Sequence, residues 1–348
     1  MIFYYLCFAS VLALQLGTRQ SAGLRYLCIG VAMFLIAALR SDQVDLDYKG
    51  YVEYYNDVLD AGFSNVEPTF ILLSHLTKNF TDNTLPLFIF YAAVGITLKL
   101  VGIAQLSKFP LASMLVYFSG FFLLWEMTQI RAAVAGGLLL LCVSQIRHRR
   151  LLPFLGLWGL AVSFHYAALI LLPLYFLRSD SASAWIYYLL LPLATASYMA
   201  NVNLVELASF APIQLIELKI KSYETYADAE VDNIYNAVYL SRCALALLLF
   251  ANRDFLSRQN EYFIVMLKIY FVALFIHVAL ASIPGISSRL SELLMVVEVI
   301  LIPMLIHFFR SRLVGHTVVV LAGLTFFVFS LHYTQLLMPY SISSLVLP

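Results

Sequence analysis

Apolar side chains dominate this sequence in long runs that short polar turns separate. Apolar stretches of about 17 to 25 residues recur along the whole chain, and each is long enough to cross the hydrocarbon core of a bilayer as a helix. A backbone in lipid must satisfy its own hydrogen bonds, which a helix does. The pattern therefore predicts an all-α, polytopic transmembrane helical bundle, with residues 1–348 as a single integral membrane domain.

One apolar run departs from this pattern because polar residues interrupt it half-way. The run covers residues 151–177, and the interruption is Ser163-Phe164-His165-Tyr166. Two half-helices with a break at His165 are predicted. An ionisable group at membrane depth is a candidate for a functional site, so His165 comes first among the candidates.

The positions of the basic residues predict the topology. Cytoplasmic loops retain lysine and arginine, whereas exported loops are depleted in them. The basic turns contain Arg19 and Arg25, Lys99 and Lys108, residues 147–150, Arg253 and Arg258, and Arg310 and Arg312. All of these turns lie on the cytoplasmic side only if the broken run returns to the face where it began. We therefore expect about ten full spans plus one broken or re-entrant helix pair, with both termini outside.

Two polar stretches are expected on the opposite side of the membrane. Residues 41–83 carry eight carboxylates against two lysines, and residues 201–236 have a similar acidic bias. Both are predicted to be extracytoplasmic loops with short helices.

The composition narrows the class of protein. Hydrophobic residues make up 62% of the chain and charged residues 12%, which leaves too few polar side chains to cover a soluble globule. The net charge of +1 gives no reason to expect a nucleic-acid partner. The four cysteines fall inside apolar segments, and no histidine-carboxylate grouping is compact. Neither a cofactor nor a metal site is predicted.

The candidate site consists of polar residues at the outer ends of the predicted spans. These are Arg40, Asp47, Tyr48, Glu67, Gln129, Arg131, His165 and Arg289, with Lys221 and Tyr223 in the second polar loop.

Each candidate also has a purely structural interpretation. Arg40 and Arg289 have the positions of snorkelling anchors. Arg131 lies five residues after Glu126, so the two also suit an ion pair that caps the turn. His165 also suits a hydrogen-bonded packing role. Residues 219–226 have two interpretations. They suit a site that binds a sugar or a phosphate, and they also suit a solvated amphipathic helix.

Five short motifs give the chain a resemblance to a known family. They are Val44-Asp45-Leu46-Asp47-Tyr48 after Arg40, Glu67-Pro68 with its apolar helix, Gln129-Ile130-Arg131-Ala132-Ala133, Ser163-Phe164-His165-Tyr166-Ala167-Ala168-Leu169, and Ser288-Arg289-Leu290. In their order, spacing and common membrane side they resemble the Wzy-type bacterial polysaccharide polymerases, in particular the EpsG-like branch. This chain has Asp45 where that family usually has glycine.

The resemblance implies a glycosyltransferase-C-like fold and an integral membrane glycosyltransferase that needs no metal. A growing glycan would leave undecaprenyl diphosphate and join a new lipid-linked repeat unit, giving O-antigen or a related surface polysaccharide. Arginine forks stabilise a departing diphosphate, so Arg131 and Arg289 are expected there with Arg40. His165, Glu67 and Asp47 are the alternatives for the general base. Gln129, Tyr48, Tyr223 and Lys221 are expected to bind substrate.

The implied partners are the lipid-linked donor and acceptor, membrane lipids and a chain-length regulator protein. The implied location is the bacterial cytoplasmic membrane, with the active site facing the periplasm or exterior. Two other classes share the architecture. A lipid-linked glycan flippase or transporter would show internal repeats and polar residues near the midplane. An O-antigen ligase or sugar O-acyltransferase would share an outer-face site.

Overall fold

The structure is a computed structural model, and it describes residues 1–15, 19–61, 66–181, 183–200 and 235–343. Helices account for most of these residues. Within the described ranges there is no β-strand, and two isolated β-bridges join Arg40 to Ile342 and Asp45 to Leu337. The predicted all-α class is confirmed.

The α-helices are numbered here in chain order. They are α1 (Ile2–Ala13), α2 (Ala22–Ala38), α3 (Asp47–Ala61), α4 (Pro68–Lys78), α5 (Leu85–Leu106), α6 (Pro110–Tyr117), α7 (Ile130–Arg147), α8 (Leu151–Phe164), α9 (Ala184–Tyr188), α10 (Leu190–Met199), α11 (Ala237–Ala251), α12 (Arg253–Gln259), α13 (Phe263–Ala279), α14 (Pro284–Met295), α15 (Glu298–Leu301) and α16 (Arg312–Val328). Short 3-10 helices cover Arg19–Ser21, Tyr166–Phe176 and Pro303–Phe308, and π-helical turns cover Phe118–Glu126 and Phe329–Tyr333.

Four of the described helical segments are long and apolar enough to cross a membrane. They are Leu85–Leu106, Ile130–Arg147, Gly285–Phe308 and Arg312–Tyr333. Other apolar helices, such as α1, α2, α11 and α13, have 10–17 residues, which is shorter than the usual span. The predicted polytopic bundle therefore stands, but the count of about ten full spans is not confirmed.

The described residues group into two compact units. Helices α1 to α8, α15 and α16 belong to the first unit, and α9 to α14 belong to the second. The single membrane domain stays a prediction. In the second unit, α13 is buried along most of its length, and Lys268 on it donates to the carbonyl oxygens of Arg178 and Asp180 and to Oγ of Ser183.

In the first unit, α5 and α7 pack closely and run in the same direction. A Cβ atom added to Gly95 would lie 3.4 Å from Cβ of Ala133, and one added to Gly102 would lie 2.7 Å from Cβ of Leu140. Small residues at such positions let two helix backbones approach. This packing fixes the first turn of α7 against the middle of α5.

Helix α3 has the pattern of an interfacial helix. Tyr48, Tyr51, Tyr55 and Val58 are buried and follow the spacing of one helix face, whereas the other face carries exposed polar residues such as Glu53. Helix α3 therefore turns three tyrosines, Tyr48, Tyr51 and Tyr55, toward the interior of the unit.

Helix α4 is short and begins at the candidate site. Pro68 occupies its first turn, where the missing N–H costs nothing, and Glu67 is its N-cap residue with an extended backbone. Phe70, Ser74 and Thr77 face the interior, and α4 packs against α3, α5 and α8. These contacts bury the Glu67 side chain.

The interrupted apolar run forms two helices, as its pattern predicts. Helix α8 ends at Phe164, His165 is not helical, and a 3-10 helix begins at Tyr166. Nη1 of Arg149 lies 2.6 Å from the carbonyl oxygen of Tyr175, and the Tyr175 hydroxyl donates to the carbonyl of Arg149 at 3.0 Å. Arg149, just before the run, therefore contacts the last turn of the run. Their side of the membrane stays a prediction.

The C-terminal segment is tied to the loop after α2. Ser41 donates its N–H to the Ser341 carbonyl at 2.9 Å, Met338 donates to the carbonyl of Val44 at 2.8 Å, and Ser343 donates to that of Leu39 at 2.9 Å. These bonds fix the loop from which α3 begins.

Candidate functional site

A buried carboxylate, that of Glu67, lies at the centre of the candidate site. The side chain is 1% exposed, and both of its oxygens accept hydrogen bonds. Oε2 pairs with Nη1 of Arg131, while Oε1 lies 3.2 Å from Nδ1 of His165 and 3.3 Å from the N–H of Tyr166. Three segments that are far apart in the sequence therefore meet at one carboxylate.

Arg131 reaches Glu67 from the first turn of α7. Its guanidinium also lies over three aromatic rings, with its central carbon 5.4 Å from the ring centre of Tyr51, 5.5 Å from that of Tyr54 and 5.7 Å from that of Phe70. Aromatic faces attract a cation, and the attraction grows where water is excluded. The side chain keeps 15% exposure, so Arg131 is held firmly but is not sealed from the surface.

His165 lies at the break between α8 and the following 3-10 helix. Its N–H bonds the Ala161 carbonyl at 2.9 Å, and its own carbonyl accepts from Ala168 at 2.9 Å, so the backbone is fixed on both sides. An ionised carboxylate only accepts hydrogen bonds, so the contact with Glu67 places a proton on Nδ1. With that proton on Nδ1, Nε2 of the neutral ring carries no proton.

The aromatic residues around Arg131 could be found only in part from the sequence. Tyr51 and Tyr54 are three residues apart in α3, a spacing that puts both on adjoining parts of one helix surface. Burial raises the pKa of the Tyr51 phenol, so it stays protonated. The sequence does not single out Phe70, because one aromatic residue among many apolar residues looks like part of the hydrophobic core.

Arg40 and Tyr48 lie in a neighbouring part of the first unit, around another acid. Nε of Arg40 donates to Asp45 at 2.8 Å, and Nη1 donates to the Ala37 carbonyl at 2.7 Å. The guanidinium lies 5.8 Å from the ring centre of Tyr48, which stacks on Phe88 at 4.1 Å. Both partners of the ion pair are buried, with Arg40 1% exposed.

Asp45 stands where the resemblance implies a glycine, and the structure gives its side chain a partner. The Asp45 carboxylate forms an ion pair with Arg40. Burial raises the pKa of the Asp45 carboxyl, and the charge of Arg40 opposes that effect. This buried ion pair suits a structural role for Arg40 better than it suits the binding of a diphosphate.

Three of the remaining candidates are exposed or partly exposed. Asp47 is exposed at the first residue of α3. Gln129 is partly exposed just before α7, where its carbonyl accepts from Ala133 at 3.0 Å. Arg289 is exposed on α14 in the second unit. Lys221 and Tyr223 lie outside the described residues.

Two interpretations of charged residues were wrong. Glu126 does not pair with Arg131, since its partner is Lys99. Lys99 does not border a cytoplasmic turn, because it lies inside α5 with only 1% exposure. Each local interpretation failed because the true partner lies on another helix.

Metal binding has no support among the described residues. Nowhere in the described ranges do three or more histidine, cysteine or acidic side chains form a group that could hold an ion.

Several helices are long and apolar enough to cross a bilayer, which indicates a membrane protein, and a buried polar cluster lies among the helices of its first unit. The chain matches the model of the EpsG family over residues 24–342, which is nearly its whole length. It belongs to that family, whose members resemble Wzy-type polymerases. No curated protein and no solved structure matches it. The chain is accordingly a membrane protein of polysaccharide biosynthesis.

Proposed function

We propose that this protein polymerises lipid-linked oligosaccharide repeat units into a surface polysaccharide. The growing glycan is transferred from undecaprenyl diphosphate to the end of a new repeat unit outside the cytoplasmic membrane. Family membership supports the class of reaction. The observation that carries the proposal is the buried carboxylate of Glu67, which holds the cation of Arg131 and the imidazole of His165 together.

In this proposal His165 is the general base. A sugar hydroxyl of the acceptor attacks the anomeric carbon of the donor, and Nε2 takes the hydroxyl proton. Glu67 keeps the other ring proton on Nδ1 and stabilises the imidazolium that forms, which is the role of the acid in a carboxylate-histidine pair. Asp47 is less suited to act as the base, because its exposed carboxylate meets water.

Arg131 has the second role in the proposal. When the new glycosidic bond forms, the bond from the anomeric carbon to the diphosphate oxygen breaks, and the lipid diphosphate leaves with the electron pair. A planar guanidinium has five N–H donors. Glu67 and Tyr51 each bind this guanidinium, and its exposed part can present further donors to a phosphate oxygen. Arg289, in the Ser288-Arg289-Leu290 motif, is proposed as a second cation that stabilises the leaving diphosphate.

A deletion strain tests the proposal. We expect surface glycan one repeat long where the wild type shows a ladder, since ligation continues while polymerisation stops. A full ladder in the deletion strain would contradict the proposal. Repeat units that accumulate on the cytoplasmic leaflet would instead indicate a flippase.

Complementation then tests the leaving-group assignment. Wild-type protein should restore the ladder, and Arg289→Lys should not, because lysine keeps the charge but loses the bidentate geometry. Arg312→Lys is the matched control, since Arg312 is exposed at the start of α16. Equal ladders from both variants would remove Arg289 from the proposal.

A further inference from the structure

The Lys99–Glu126 ion pair lies next to the candidate site but is no part of it. Lys99 comes from the middle of α5, and Glu126 ends the π-helical turn before α7. Both side chains are almost completely buried. The Lys99 ammonium also lies 5.5 Å from the ring centre of Tyr117 and 5.2 Å from that of Trp125.

Lys99 makes a second contact that an ion pair alone does not need. Its Nζ atom lies 2.6 Å from the carbonyl oxygen of Ala133, in the first turn of α7. Glu126 is five residues before Arg131, and Ala133 is two residues after it. One ammonium therefore fastens both ends of the turn that carries the guanidinium of the site.

The surrounding helices are shaped to allow this contact. A Cβ atom added to Gly95 would lie 3.3 Å from Oε1 of Glu126, and one added to Gly137 would lie 2.6 Å from Cβ of Leu98. One added to Gly136 would overlap the ring of Trp125 at 2.3 Å. Glycine at these three positions brings α5, α7 and the π-helical turn close enough for one lysine to bridge them.

Stability alone does not account for a buried ion pair. The desolvation of two charges offsets much of their attraction, and replacing such a pair by apolar residues of similar volume is often neutral or stabilising. Lys99 also donates a hydrogen bond to the Ala133 carbonyl in the next helix, and an apolar residue at position 99 could not donate one. The π-helical turn that ends at Glu126 points the same way, since such turns are frequent at functional sites.

We propose that Lys99 and Glu126 are positioning residues that hold Arg131 against Glu67. Their effect on the reaction passes through the turn between Glu126 and Ala133. Because Glu67 also holds His165, a displaced Arg131 would disturb the base as well as the leaving-group cation. The catalytic part of this inference rests on the proposed polymerase function.

Two double variants separate positioning from stability. Lys99→Met with Glu126→Leu removes both charges, and Lys99→Glu with Glu126→Lys keeps an ion pair but puts an acceptor opposite the Ala133 carbonyl. We expect both proteins to be as abundant in the membrane as the wild type. We also expect each to extend glycan at least tenfold more slowly, with the loss in kcat and with the KM for the acceptor little changed.

The control is the exposed ion pair of Lys78 and Asp82, which is replaced in the same way by Lys78→Met with Asp82→Leu. This double variant should keep the wild-type rate. If the apolar Lys99 and Glu126 variant also polymerises at the wild-type rate, the pair has no positioning role.

Hydrogen exchange gives a readout that does not depend on activity. Backbone amides of residues 127–133 should exchange at least tenfold faster in both Lys99 double variants, while those of α16 keep their wild-type rates. Unchanged exchange in residues 127–133 would overturn the inference even if no polymerase activity were found. Failure of wild-type protein to extend glycan would instead overturn the proposed function and leave the exchange result to decide the role of Lys99.

Discussion

Replacing Glu67 by glutamine changes the chemistry at the centre of the site with little change in shape. In the wild-type protein, both carboxylate oxygens accept hydrogen bonds, from Arg131 on one side and from His165 and the Tyr166 N–H on the other. Glutamine presents one oxygen and one NH2 group. One side of the site must therefore face a donor where it now faces an acceptor.

Either orientation of glutamine is unfavourable for the proposed reaction. With the NH2 group toward Arg131, two donors meet and the buried cation loses its counter-charge. With the NH2 group toward His165, Nδ1 must accept, so the ring proton moves to Nε2 and the ring cannot act as the base. A wrong histidine tautomer lowers kcat by roughly 10⁴ in a carboxylate-histidine pair, and loss of a general base costs about 10²- to 10⁴-fold. The expected loss in kcat is therefore on the order of 10² to 10⁴, which is about 3 to 5 kcal/mol in the barrier.

The measurement is the initial rate of repeat addition by purified protein with lipid-linked repeat units, divided by the amount of folded protein. Glu53→Gln is the matched control, because Glu53 is exposed on α3. Glu67→Asp keeps the charge but shortens the reach by one methylene group, so its rate should lie between those of the wild type and Glu67→Gln. A rate for Glu67→Gln within threefold of the wild type would refute the assigned role of this carboxylate.

Three further predictions concern the cation, the topology and the loop after α2. Arg131→Lys should abolish long-chain polymer at normal protein abundance, whereas Arg150→Lys should be silent; a full ladder from the first variant would contradict the leaving-group assignment. Cysteines placed at Arg150 and Arg178 should label from the same membrane face, and labelling from opposite faces would contradict the broken helix pair. Asp45→Ala leaves the buried cation of Arg40 without its partner and should lower the free energy of unfolding by about 3 to 5 kcal/mol. Denaturant titration checks this value, and a loss below 1 kcal/mol would contradict the structural role of the pair.

Much of the site follows from the sequence because its residues lie at breaks in apolar runs. Glu67 precedes a proline that starts a helix, Arg131 follows a polar turn, and His165 interrupts a run. Each is costly to place at membrane depth, so each is recognisable without a structure. The structure adds that these three residues meet, although Glu67 is 64 residues from Arg131 and 98 from His165.

Pairing could not be predicted in the same way, because it depends on helix packing. Glu126 is near Arg131 in sequence, yet its partner is Lys99, which reaches it only because Gly95 and Gly137 let α5 and α7 approach. Rules based on basic residues in loops assume that a lysine near the end of an apolar run lies at the interface. A lysine that is buried with an acid breaks that assumption, and no local pattern reveals it.

Helix lengths show a similar limit. Apolar runs predict where helices lie, but they do not reveal where a π or 3-10 turn divides a run. The π-helical turn at Phe118–Glu126 is one such place. The predicted number of full spans depended on run length, and it is not confirmed, because several of the described apolar helices have only 10–17 residues.

The most direct test of the proposed function is reconstitution of the purified protein in lipid vesicles with one synthetic undecaprenyl-diphosphate-linked repeat unit as both donor and acceptor. We expect a ladder of glycans that differ by one repeat, with one undecaprenyl diphosphate released for each bond formed. The variant His165→Asn should give only the starting unit. A wild-type reaction that leaves the repeat unit unextended, or an equal ladder from His165→Asn, would contradict the account.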